Sequence, residues 1–144
     1  MKTQVFVLLP QQVAPSDVRS CAEKALNAFQ SAEEPRPPGA RFDYAVGNLS
    51  RSLHDSVASG LLPAADKRAL EGSICLIGNL KPDVIPAALV TPDGRWHDLG
   101  DFGWRMTAEG SAANDLAMQH WTARFRELVR EHPHGWLLEC WVHS

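Results

Sequence analysis

The chain opens on an unbroken apolar run, Val5-Phe6-Val7-Leu8-Leu9, closed by Pro10. Its β-branched and aromatic content predicts a buried strand over 3–9. Five apolar residues are too few for a secretory core, and no small-x-small cleavage site follows. A first strand rather than a leader is therefore expected. Over 15–30 the period changes. Val18, Cys21, Ala22, Ala25, Leu26 and Phe29 recur at helical spacing. Pro15, Ser16 and Asp17 supply helix-start chemistry, because proline fits the first turn and serine or aspartate accepts its orphan N–H groups. This places Cys21 on the core side. The next ten residues hold Pro35, Pro37, Pro38 and Gly39. Prolines so closely spaced exclude a helix or a central strand, so 31–40 reads as a loop within one domain.

Phe42, Tyr44 and Val46 alternate with Asp43 and Ala45 and predict a strand ending at Gly47-Asn48. The stretch 49–59 fits either a helix or irregular chain. A short helix is expected over 63–71, from Pro63 to Gly72, followed by a strand over 73–77 closed by Gly78-Asn79. The clearest local signal lies in 85–99. Apolar residues 87–90 lead into Thr91-Pro92-Asp93-Gly94, and then Arg95-Trp96-His97-Asp98-Leu99 follows. Proline, aspartate and glycine in that order fit a type I turn and hence a β-hairpin. Residues 100–106 read as an aromatic loop or continued strand. Ala117, Trp121, Phe125 and Leu128 form the apolar stripe of a helix over 112–131, which Ser111 or Asn114 can cap and Pro133 stops. A last strand spans 135–143. Trp136, Leu138, Cys140 and Val142 share one face; Leu137, Glu139, Trp141 and His143 share the other.

This order predicts one α+β domain over 1–144. We expect a mainly antiparallel sheet with two main helices packed on one face, a ferredoxin-like arrangement being one such form. The length of 144 residues suffices for a core without disulfides or metal. Apolar residues at 44% and charged residues at 22% exclude disordered and fibrous classes. No apolar run approaches the ~20 residues of a membrane-spanning helix. A net charge of −3 supplies no bulk attraction for nucleic acid, and Arg19, Lys24, Arg124, Arg126 and Arg130 read as solvated helix surface. Three well-separated cysteines, Cys21, Cys75 and Cys140, argue against a disulfide framework and for a cytoplasmic setting.

The candidate chemistry is sparse. His97, with Asp93 or Asp98, has the residue types of a general base and its orienting carboxylate. A strand, however, sends His97 and Asp98 to opposite faces. Cys140 with His143 or His97 has the types of a thiolate nucleophile and base. His132, His134, Cys140 and His143 are zinc-compatible donors whose spacing matches no closed zinc motif, so neither a metal nor a cofactor is expected. The chain has no phosphate loop and no Gly-x-Ser-x-Gly elbow. Five tryptophans are many for this length. Since tryptophan is enriched where interfaces concentrate their energy, the expected partner-binding set is Trp96, His97, Trp104, Leu137 and Trp141. Leu137 and Trp141 make the second face of the last strand too apolar to stand alone in water.

Three clusters together resemble a group of small, uncharacterised bacteriophage and prophage proteins. The most specific is Thr91-Pro92-Asp93-Gly94-Arg95-Trp96-His97, followed by Phe102-Gly103-Trp104, which is similar to that group's Pro-Asp-Gly-x-Trp-His hairpin. Arg41-Phe42-Asp43-Tyr44-Ala45-Val46-Gly47-Asn48 resembles its basic-aromatic-Asp-aromatic segment, with Asn48 where the group has a second glycine. The ending Glu139-Cys140-Trp141-Val142-His143 resembles its Asp-Cys-His ending, split here by Trp141-Val142. The resemblance implies a phage or mobile-element context, and with it the cytoplasm of a host cell. The resulting expectation is a non-enzymatic protein that binds a protein partner, an inhibitor of a host defence complex suiting that context. The alternatives are a small hydrolase-like enzyme using the pairs above, and a self-associating module such as a homodimer.

Overall fold

The computed structural model describes residues 2–45 and 74–143. Its elements are β1 (Lys2–Leu9), α1 (Val18–Asn27), β2 (Tyr44–Ala45), β3 (Ile74–Leu76), β4 (Ala88–Val90), β5 (Trp96–Asp98), α2 (Ala112–Arg130) and β6 (Trp136–His143). They form an α+β domain around one mixed sheet. β1 lies at its centre, antiparallel to β6 along eight residue pairs and parallel to β4. β5 returns antiparallel to β4, and β2 and β3 share the outer edge of β6, both antiparallel to it. Four of these five pairings among the described residues are antiparallel, as the strand pattern predicts.

The placement of the helices differs from expectation. Val5, Val7 and Leu9 of β1 pack with Val18, Ala22 and Leu26 of α1, together with Leu138, Cys140 and Val142. Phe6 and Leu8 pack instead with Ala117, Trp121, Phe125 and Leu128 of α2, together with Leu89 and Leu137. The two helices therefore cover opposite faces of the sheet, not one face. A ferredoxin-like sheet would be wholly antiparallel with both helices on one side; here β1 runs parallel to β4. The reason lies in β1. A strand apolar at every position from Val5 to Leu9 must be covered on both sides, whereas a strand with one helical layer alternates apolar and polar residues. α1 has ten residues, below the length at which an isolated helix holds in water, so burial of its apolar stripe keeps it folded.

Local signals act as their chemistry requires at α2 and in the hairpin, whereas at the start of α1 Pro15–Asp17 form a 3-10 turn and Asp17 makes no side-chain capping bond. Ser111 caps α2 by accepting from Asn114 N–H at 3.1 Å, and Asn114, itself buried, braces the preceding turn through Arg105 and Ala108 carbonyls. In the hairpin, Gly94 N–H donates to Thr91 C=O at 2.9 Å, and Gly94 takes a positive φ of 79° as the chain turns into β5. The segment after β5 is neither strand nor open loop. It folds into two 3-10 turns, Leu99–Phe102 and Met106–Ala108. Of the strand expected over 42–46, the described residues 42–45 hold β2 and a bridge from Phe42 to Gln30. The expected strand end at Gly47-Asn48, the stretch 49–59 and the helix over 63–71 lie outside the described residues.

Gly135 sets the entry to β6. A Cβ there would stand 2.7 Å from Leu9 C=O and 3.3 Å from His132 C=O, both backbone atoms that cannot swing away. Gly135→Ala is expected to destabilise the fold by about 1–3 kcal/mol, measured by urea unfolding.

Candidate functional site

The strand registers bring five chain positions to one end of the sheet: Thr3 opposite Val142, and Ala88 beside both Val5 and Asp98. A cleft of about 590 Å³ opens at this end, within the size range of small-ligand sites. Ala87, Ala88, Leu99 and Val142 give it an apolar lining. Trp96 and Trp104 contribute two half-buried indoles, and Arg36 and Arg41 reach it from the proline-rich segment.

Each of these side chains is held by identifiable contacts. The Trp96 ring packs against Phe29 and Phe42, with centroids 5.3 and 6.1 Å away. Its indole N–H donates to Asp98 Oδ2 at 2.8 Å. Asp98 Oδ1 accepts from Asp101 N–H at 3.1 Å, while Asp98 N–H donates to Asp101 Oδ2 at 3.0 Å. This reciprocal cap starts the 3-10 turn that leads toward Trp104. Gly103 ends that turn with φ at 87°, a conformation that favours glycine. Arg36 forms an ion pair with Asp43 and donates to Arg41 C=O at 3.4 Å. Arg41 is exposed, and its guanidinium pairs with no described carboxylate.

Of the five residues expected to bind a partner, the structure brings Trp96 and Trp104 together and separates the other three. Leu137 is 2% exposed against α2 and has no free surface to offer; α2 supplies the cover that its face of β6 needs. Trp141 lies two positions further along that face and is 41% exposed. His97 pairs in register with Leu89 and points away from Trp96 and Asp98, toward the α2 side.

The candidate catalytic pairs fare differently. His97 and Asp98 diverge across β5, as strand geometry dictates. His97 and Asp93 are linked through Thr91, whose hydroxyl donates to Asp93 Oδ1 and lies 3.2 Å from His97 Nε2. That hydrogen bond from Thr91 is the main cause holding the exposed Asp93 carboxyl below its usual range. Burial, and then the nearby Arg124 charge, lower the His97 pKa from its ordinary 6.5. The neutral ring is thus the folded form's preference. The unfolded chain takes up the His97 proton first as pH falls, so this residue's contribution to stability is present above pH 6.5 and shrinks as pH drops below it. An NMR titration of His97 is expected to give a midpoint below 6.5, and His97→Gln should flatten that part of the stability–pH curve.

Cys140 lies in the α1-side core, where its thiol donates to Val5 C=O at 3.2 Å, and burial pushes its pKa up to about 12. His143 belongs to the opposite face of β6 and its Nδ1 lies 3.3 Å from Asp43 Oδ2. The Cys140–His143 pair is therefore not formed. A thiol-reactive reagent at pH 8 should leave Cys140 unmodified until the fold opens, as followed by mass spectrometry. Among the described residues no three His, Cys, Asp or Glu side chains gather in a metal-binding group, and no helix is long and apolar enough to cross a membrane.

Sequence reasoning missed Arg36, Arg41 and the small-residue lining at Ala87 and Ala88. The two arginines flank Pro37-Pro38-Gly39, a segment readable as a loop but not as one wall of a cleft. No family model, curated protein or solved structure matches this chain.

Proposed function

We propose that this chain is a non-enzymatic binding protein that recognises a protein partner through the cleft at the sheet end. One observation carries the reading: two half-buried indoles, Trp96 and Trp104, line a single open, mainly apolar cleft. Tryptophan in a concave, partly desolvated setting is where binding energy concentrates. Trp141, exposed on the α2-side face of the sheet, is a second contact point for a large partner. The phage or prophage setting, the host cytoplasm and the inhibition of a host defence complex follow from the hairpin resemblance, and that resemblance alone supports them.

The test compares three baits in the same host extract: the wild-type chain, Trp104→Ala and Trp141→Ala. A partner retained by the wild type and by Trp141→Ala, but lost by Trp104→Ala, supports recognition at the cleft. A partner retained equally by all three overturns it. Solution mass, measured alongside, distinguishes a heterologous partner from a second copy.

A second reading, a hydrolase-like site, has one supporting observation in the Asp93–Thr91–His97 chain of polar groups. It predicts an activity abolished by His97→Ala and by Asp93→Ala. The cleft reading predicts that neither substitution alters partner binding by more than about threefold.

A further inference from the structure

We infer that the cleft takes a partner segment in which an apolar side chain stands next to carboxylates, the apolar group lying with Trp96 and Trp104 and the carboxylates meeting Arg36 and Arg41. This rests on the cleft being the recognition site and adds the chemistry of what enters it.

The argument is an inventory of the cleft's charged groups. A guanidinium carries five N–H donors and no acceptor. Arg36 uses its donors on Asp43 and on Arg41 C=O, which fixes the side chain at the rim and leaves others unspent. Arg41 donates from its side chain to none of the described residues. Asp98 is the carboxylate of the lining, and both of its oxygens already accept, one from the Trp96 indole and one from Asp101 N–H. Each Asp98 oxygen keeps a second lone pair, but Asp98 is half-buried and held against Trp96, whereas Arg41 is exposed, so the most accessible uncommitted group of the rim is a guanidinium. Planar guanidinium donors match a carboxylate in pairs, which supplies orientation as well as attraction. The rest of the lining, Ala87, Leu99, Val142 and the two indoles, supplies an apolar seat. Acidic and apolar together describe a segment such as Glu-Phe-Glu better than either an uncharged or a basic one.

Three blocked pentapeptides test this, with glycine at both ends and phenylalanine flanked by two glutamates, two glutamines or two lysines. Each is titrated into the full chain while the indole N–H signals are followed by NMR. Trp121, whose indole is buried and bonded to Pro86 C=O, serves as the internal reference. The glutamate peptide is expected to move the Trp96 and Trp104 signals and not Trp121. It should bind at least fivefold tighter than the glutamine peptide, and 0.5 M salt should remove most of that margin. In Arg41→Ala and Arg41→Gln, both at an exposed position, the glutamate peptide should bind no tighter than the glutamine peptide does to the same variant. Equal binding of the glutamate and glutamine peptides at Trp96 and Trp104 overturns the carboxylate inference and leaves the cleft reading standing. Tightest binding of the lysine peptide overturns it in favour of Asp98. Failure of all three peptides to move Trp96 or Trp104 counts against the cleft reading together with the inference.

Discussion

Trp121→Ala is expected to lower the free energy of unfolding by about 3–5 kcal/mol, the range for removing a large aromatic from a closed core. Trp121 is 0% exposed at the centre of the α2-side core. Its ring lies 6.1 Å from Phe125 and 6.4 Å from Phe102, and its indole N–H donates to Pro86 C=O at 2.7 Å. Truncation leaves a cavity and strips that carbonyl of its donor, and both effects act in the same direction. Against a typical domain stability of about 5–15 kcal/mol, a loss of this size brings the chain close to unfolding at 37 °C. Trp121→Phe separates the two effects: it keeps most of the volume, loses the hydrogen bond and should cost about 1–3 kcal/mol. Urea unfolding followed by far-ultraviolet circular dichroism measures both variants. A loss below ~1 kcal/mol for Trp121→Ala would mean that α2 does not seal this face of the sheet.

The second large effect concerns recognition. Trp104→Ala should weaken partner binding by about 30-fold, equivalent to the ~2 kcal/mol of an interface anchor. Trp104 is half-buried and follows a 3-10 turn whose cap, Asp98 with Asp101, also holds Trp96. The cleft is thus organised from β5 outward. Asp101→Ala should consequently weaken binding too, by a smaller factor, because it loosens the turn without removing a ring. Titration calorimetry with the purified partner measures these effects, and the Trp121 indole signal reports whether each variant keeps its core. A Trp104→Ala variant that binds like the wild type would move the recognition surface elsewhere, with Trp141 the next position to examine.

Much of the architecture was legible wherever the chemistry is local. Pro92-Asp93-Gly94 specified the hairpin because each residue restricts its own backbone. The stripe at Ala117, Trp121, Phe125 and Leu128 specified α2 because helical spacing puts those residues on one side. The two faces of β6 were readable from its alternation, including the core placement of Cys140. The opposed helices are encoded less locally, in the unbroken run Val5-Phe6-Val7-Leu8-Leu9: an apolar strand without polar alternation needs a cover on each side.

The candidate site was legible only in part, and the reason is physical. Trp96 and Trp104 are close in sequence and flank one 3-10 turn, so they could be grouped. Leu137 and Trp141 share a face of β6, but a helix covers the first and stops short of the second. Arg36 and Arg41 come to the cleft because Phe42 is buried in the α1-side core and Arg36 is tied to Asp43. Contacts of that kind depend on chain segments meeting in space, and no spacing rule encodes them. The same holds for Asp93 and His97, which communicate only because Thr91 stands between them.

Photocrosslinking in the host cell tests the central claim most directly. A benzophenone side chain is introduced at position 104 in one variant and at position 141 in another, and covalent adducts are identified by mass spectrometry. Recognition at the sheet-end cleft predicts a discrete adduct from position 104, competed away by an excess of the unsubstituted chain. An adduct formed from position 141 alone, with none from position 104, would contradict it.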